Sequence, residues 1–223
     1  MALQNSSESA FLSRGTSVRP GMATSLWSES AGSLTRRAAQ VVSHLASPPV
    51  LAVAGAVAVA SVDGRLAAFL SAGLLVLVSV LLPLATLVRQ YRGGAISDLE
   101  VTRRQERLWP LLLTTTCVGS GAVLLLLIGA PTGVAGYGAI LGVQSLLLLA
   151  VTGSWKISVH ACAAGSTGAL CWLLTGRPEP GLVLVALMIW SRLLLRRHTP
   201  AQCLAGAALG AGSLILLWPL LAG

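Results

Sequence analysis

A chain of 223 residues that is 55% hydrophobic and 10% charged, with mean hydropathy +0.81, is not a water-soluble globular domain. Its formal net charge of +8 comes from 14 arginines and one lysine against seven acids. The arginines crowd at the ends of apolar runs, which suits membrane lipids and phosphate groups rather than nucleic acid.

Residues 1–33 are rich in Ser, Gly and Thr without sustained periodicity and read as a flexible tail. They show no signal-peptide pattern; poor in acids and rich in Ser and Arg, they faintly resemble an organellar transit peptide, but a cytoplasmic tail is the simpler reading. From Leu34 to Leu45, Arg36, Arg37, Val41, Val42 and Leu45 suggest a basic amphipathic turn on the membrane surface. The expected division is therefore a tail over 1–45 and a transmembrane domain over 46–223.

Seven apolar runs follow, at about 46–62, 66–88, 109–130, 133–152, 157–175, 180–195 and 200–221, most of them long enough to span a bilayer as helices. The first is short and rich in Ala and Val. Backbone in lipid must satisfy its own hydrogen bonds, and the connections are short, so the predicted fold class is all-α: an integral-membrane helical bundle of six to seven transmembrane helices. Asp63-Gly64-Arg65 is turn chemistry, and Pro83 is expected to kink the second run. Gly93-Gly94 should break the helix within the longest polar connection, Arg89 to Arg107. There Arg103 and Arg107 are i,i+4 neighbours and Arg104 and Arg107 are i,i+3, so the three can face one anion or serve as a cationic anchor tied to Glu100 and Glu106. Gly119, Gly121 and Gly129, with Gly133, Gly136, Gly138 and Gly142, are expected to bring the third and fourth runs close together. Cys117, Cys162, Cys171 and Cys203 all fall in apolar runs without metal-ligand spacing and read as small hydrophobes.

Ionisable groups at a membrane edge are costly, so the polar knots are the functional candidates. Of three histidines, His198 lies in Ser191-Arg192-Leu-Leu-Leu-Arg196-Arg197-His198-Thr199-Pro200-Ala-Gln202, His160 follows Trp155-Lys156-Ile157-Ser158-Val159, and His44 lies before the first run. Two runs separate Arg107 from Lys156, and two separate His160 from His198. Even parity puts all three knots on one side of the membrane. The chemistry available there is phosphoryl transfer. A histidine can attack phosphorus and form a phosphohistidine, provided its other ring nitrogen is held by an acceptor. Gln202, four residues beyond His198 and on the same helical face, can supply that acceptor through its carbonyl. Thr199-Pro200 suits an N-cap and first helical residue, which places His198 at a positive helix end. Arg192, Arg107 and Lys156 can then bind phosphoryl oxygens, and Arg196 and Arg197 read as headgroup anchors.

In order and spacing the knots resemble the three motifs of the type 2 phosphatidic acid phosphatase superfamily, written Lys-x6-Arg-Pro, Pro-Ser-Gly-His and Ser-Arg-x5-His-x3-Asp. The third is matched by Ser191, Arg192 and His198, with Gln202 where Asp is usual. The second is matched in part by Ser158 and His160. The first is weakest: Arg107 fits, Leu108 replaces the proline and Glu100 stands at the lysine, so Arg103, Arg104 or Lys156 would supply the missing cation. The resemblance covers about residues 98–206 and implies a six-helix phosphatase-like core. It implies His198 as nucleophile, His160 as the acid that protonates the departing oxygen, and Ser158 and Ser191 among the phosphate ligands. It implies no cofactor and no metal.

The resulting expectation is a metal-independent phosphatase for a lipid phosphate or diphosphate. A polyprenyl substrate comes first, because Gln202 and the His-Thr pair resemble the dolichyl-diphosphatase branch. Phosphatidic acid or phosphatidylglycerol phosphate comes next. Positive-inside charge puts the N-terminus and the site on the cytoplasmic side, and the Arg-over-Lys bias suggests a bacterial cell membrane. Two alternatives are a non-catalytic lipid-phosphate binder derived from the same family and a membrane prenyltransferase. The second is disfavoured, because only Asp63 and Asp98 are present and no acid cluster exists to hold metal.

Overall fold

The computed structural model describes the backbone of residues 20–95 and 104–222, and the side chains of residues 33–95 and 108–222. Among these residues there is no strand. The helices are α1 (Pro20–Leu45), α2 (Pro48–Asp63), α3 (Leu66–Val76), α4 (Leu82–Arg92), α5 (Arg104–Leu127), α6 (Thr132–Ser154), α7 (Val159–Thr175), α8 (Glu179–Leu194) and α9 (Pro200–Leu221). The chain divides into two compact units, Met1–Ala38 and Ala39–Gly223. Of the first, the described part is the beginning of α1, whose start at Pro20 lies within the stretch expected to be flexible.

Every apolar run predicted as a span is helical, and the chain folds as an all-α membrane bundle. Leu66–Arg92, Leu108–Leu127, Thr132–Ser154 and Pro200–Leu221 are each long and apolar enough to cross a membrane. Ser33–Leu45 and Pro48–Asp63, bent by 46°, make a fifth if they count as one span. By length and composition the count is therefore four or five, below the six to seven expected. The shortfall falls on α7, with 17 residues, and α8, with 16. At 1.5 Å per residue they reach about 24–26 Å, short of the ~30 Å hydrocarbon core. The connections that flank them carry Lys156, before α7, and His198, after α8.

Local chemistry accounts for the breaks. Gly64, at φ 73°, caps α2 in the left-handed region, and Arg65 closes the turn by donating to the Asp63 carboxylate at 2.6 and 2.8 Å. Hydrogen bonding to that exposed guanidinium lowers the pKa of Asp63. Leu77–Leu81 form a π-helical turn immediately before Pro83, joining α3 to α4. The proline ring collides with the carbonyl four residues earlier, and widening the helix by one residue relieves the clash without ending it. Gly93 and Gly94 stop α4, the latter at φ 73°.

The segment expected to be amphipathic has one face of small buried residues and one exposed apolar face. Val41 and Leu45 of α1 are exposed, whereas Ala39, Ser43 and Ala46 are buried. Residues at i, i+4 and i+7 share one helix face. Here that face consists of small side chains, which a hydropathy pattern underweights.

Close packing centres on α7 and α9. Gly165 abuts Ala207, Gly206 abuts Ser158 and Cys162, and Gly210 abuts Cys162 and Ser166. Residue numbers rise together in both helices, so they run parallel with their N-termini side by side. Antiparallel α8 lies against α7, where Gly168 meets Gly181. Of the glycines expected to pack the third and fourth runs, Gly142 meets Gly119 and Gly138 meets Leu125, whereas Gly121 meets Ser79 of the second run and Gly129, at φ 64°, serves a turn. A buried clamp ties three helices together: Gln144 Nε2 of α6 lies 3.0 Å from Ser166 Oγ, 3.1 Å from the Gly210 carbonyl and 2.8 Å from Ser213 Oγ. Gly210→Ala, whose Cβ would overlap the Cys162 carbonyl, is expected to destabilise the bundle by about 1–3 kcal/mol. Gly212→Ala, with nothing within 4 Å, should leave the thermal midpoint unchanged or raised. Equal midpoints for the two variants would show that the α7–α9 contact is not tight.

Candidate active site

The site grows from the turn between α8 and α9. Helix α8 ends with Arg196 N–H donating to the Leu193 carbonyl at 2.9 Å and Arg197 N–H donating to the Arg192 carbonyl at 3.0 Å. This is a Schellman closure with Arg196, at φ 53°, in the left-handed position usually given to glycine. It turns the chain within a few residues and delivers His198 to the start of α9.

Thr199 is the N-cap of α9 and Pro200 its first residue. The Thr199 hydroxyl accepts from Gln202 N–H at 3.4 Å, and Gln202 Oε1 accepts from Thr199 N–H at 3.1 Å, a reciprocal capping box. The same Oε1 lies 3.2 Å from Nδ1 of His198, which is 8% exposed. The tautomer follows from these contacts. A backbone N–H can only donate, so the Gln202 atom facing Thr199 is oxygen. An amide oxygen can only accept, so Nδ1 of His198 carries the proton. In the neutral ring, Nε2 is then the nitrogen able to attack. Gln202→Leu keeps the bulk but removes the acceptor. We expect it to lower turnover about 10–100-fold with little change in substrate affinity. Unchanged turnover would show that another group orients the ring.

The N-terminus of α7 lies alongside. Ser158, fully buried, is its N-cap, with its hydroxyl accepting from Ala161 N–H at 3.3 Å. Ser158 N–H donates to the Gln202 carbonyl at 3.2 Å and so joins the two helix starts directly. His160 is in the first turn of α7, and half-buried Lys156 is in the preceding connection. Two helix N-termini, each with positive partial charge, thus converge where His198, His160, Ser158 and Gln202 sit.

Arg192, in the last turn of α8, is 1% exposed and donates from its guanidinium to the Ser43 hydroxyl. Neighbouring Ser191 is buried, and its hydroxyl donates to the Ala39 carbonyl of α1 at 2.7 Å. Arg103 lies outside the described residues, as do the side chains of Arg104 and Arg107 and the site of Glu100, so the first motif has no geometry here.

A cavity of about 510 Å³ opens beside the histidines. His44, His160 and His198 line it together with a long apolar wall that includes Leu75, Val80, Leu87, Leu111 and Leu141. Ser43 and His44 are the residues the sequence did not nominate. The available signal was that His44 is one of only three histidines and directly precedes the first apolar run.

No curated protein and no solved structure gives a significant match to the chain. The model of the PAP2 superfamily matches residues 67–222, more than two thirds of the sequence. That region holds His160, Arg192, His198 and Gln202, and the chain belongs to this superfamily of phosphatases acting on phosphate esters.

Proposed function

We propose that the protein hydrolyses a lipid phosphate or diphosphate at the membrane edge through a phosphohistidine, with polyprenyl phosphates or diphosphates as the substrate class. The carrying observation is the His198–Gln202 pair, in which one side-chain carbonyl caps α9 and holds Nδ1 of the imidazole, so that Nε2 is the ring nitrogen that attacks. Nε2 attacks phosphorus, a nitrogen–phosphorus bond forms, and the bond to the departing oxygen breaks. His160, protonated at the outset, gives that oxygen a proton and is left as base. Water then attacks the phosphohistidine, His160 takes the proton from the water, and inorganic phosphate leaves with His198 restored. Arg192, the two helix N-termini, Ser158 and Lys156 stabilise the equatorial oxygens, and Arg103, Arg104 and Arg107 complete the cationic set. No step calls for a metal.

The cavity supports a substrate with an apolar tail, because its wall is largely aliphatic and includes three histidines. The Gln at position 202 favours the polyprenyl class. For orientation, Arg89, Arg92, Arg196 and Arg197 belong to the side bearing the site, against Arg65 and Arg177 on the other, which supports a cytoplasmic site in a bacterial cell membrane.

The test is phosphate release by the full-length protein in detergent micelles with chelator present, across polyprenyl phosphate, polyprenyl diphosphate, phosphatidic acid and phosphatidylglycerol phosphate. Release in chelator, fastest from a polyprenyl substrate, is expected. Faster release from a glycerolipid would reassign the substrate, and restoration of activity only by added divalent metal would overturn the mechanism. No release from any of the four would leave a lipid-phosphate-binding protein.

A further inference from the structure

The superfamily match begins at residue 67, yet chain that precedes it reaches the site. Buried Ser43 accepts from the guanidinium of Arg192. One helical turn earlier, buried Ala39 gives its carbonyl to Ser191. The next residue, His44, lines the cavity that also has His160 and His198 on its wall. Its Nδ1–H donates to the Gln40 carbonyl at 2.8 Å, which leaves Nε2 as the polar atom of the ring available to a ligand. Among the described residues, no three His, Cys, Asp or Glu side chains are grouped to hold a metal ion.

We propose that the end of α1 is a working wall of the phosphatase site: Ser43 is a positioning residue that fixes the Arg192 guanidinium, and His44 is a specificity residue that meets the phosphorylated head of the substrate. The proposal rests on the roles given above to Arg192 and His198. Arginine carries several rotatable bonds, and a guanidinium that must meet a developing charge gains from being fixed beforehand. The Ser43 contact orients rather than blocks. A neutral hydroxyl competes poorly with a phosphate, whose bond to arginine is charged at both ends. His44 follows by elimination. With His198 on the reacting phosphorus and His160 on the departing oxygen, the third imidazole is left for the part of the head that differs between monophosphate and diphosphate.

The experiment uses the full-length protein in lipid discs, as wild type, Ser43→Ala, Ser43→Thr and His44→Ala. Two readouts are taken: turnover on polyprenyl phosphate and diphosphate, and binding of orthovanadate and inorganic pyrophosphate followed by thermal shift. Ser43→Ala is expected to lower turnover on both lipids, and orthovanadate affinity, about tenfold, the effect of one hydrogen bond to a charged group, with Ser43→Thr restoring most of both. His44→Ala is expected to cut the diphosphate-to-monophosphate ratio, and pyrophosphate affinity relative to orthovanadate, about tenfold. Unchanged turnover and orthovanadate affinity in Ser43→Ala would remove the positioning role, and faster turnover would make α1 an inhibitor instead. Unchanged ratios in His44→Ala would remove the specificity role. If wild type hydrolyses nothing, the hydrolase reading fails while the binding readouts still decide this proposal. A wild type that binds neither anion overturns both.

Discussion

Phosphate release should fall by about 10³–10⁶-fold in His198→Ala, the range seen when a nucleophile is deleted and the rest of a site remains. The magnitude follows from what stays behind. Without Nε2 there is no atom to form the covalent intermediate, and water must attack the ester directly between the two helix N-termini. His160 and His44 line the same cavity, but neither is held by the α9 capping box. The decisive companion measurement is a rapid quench of wild type with a phosphate-labelled substrate. It should trap a phosphoenzyme that is labile in acid and stable in base, as a phosphohistidine is, and the variant should trap none. A variant retaining a tenth of wild-type turnover would move the nucleophile to another residue. His198 is buried and bonded to Gln202, so the thermal midpoint of the variant is read beside its activity, and activity lost with the midpoint kept assigns the loss to chemistry.

The second large effect concerns Arg192. A fully buried guanidinium is costly to maintain, and replacing it with an apolar side chain of similar length is often neutral for stability. Among its partners, the Ser43 hydroxyl is neutral and carries no charge that the substitution would strand. Arg192→Met should therefore change the thermal midpoint little while lowering turnover about 10²–10³-fold, through loss of charge stabilisation at the transferring phosphoryl group. Arg192→Lys keeps the charge but loses the planar fork, and is expected to recover only part of that loss. The informative pattern is activity lost with stability kept. A variant that unfolds in proportion to its lost activity would make Arg192 a structural partner of Ser43 and nothing more.

Much of this was decided by local pattern. Helical membrane runs follow from apolar length, because the backbone in lipid has no other way to satisfy itself. The Gln202–His198 bond follows from i,i+4 spacing, and the capping box from Thr199-Pro200 followed by Gln202, all within one turn of chain. The count of runs between His160 and His198 implied a shared side, and the parallel packing of α7 on α9 brings their N-termini together. The π-helical turn was legible only as trouble at Pro83, since the choice between a kink and a widened turn depends on neighbouring helices.

Tertiary structure alone decided the rest. Ser43 meets Arg192, and Ala39 meets Ser191, across about 150 residues of sequence, a separation no periodicity spans. The buried stripe Ala39, Ser43 and Ala46 is nearly invisible to hydropathy, because small residues bury little area yet permit the closest approach. The same reason hid the tight glycines at 165, 206 and 210. Composition and spacing thus determined that this chain is a helical membrane protein with a histidine-bearing turn. Only packing decided that Ala39 and Ser43, before the matched domain, meet Ser191 and Arg192 at the end of α8, because a contact between distant helices exists only once their faces have met.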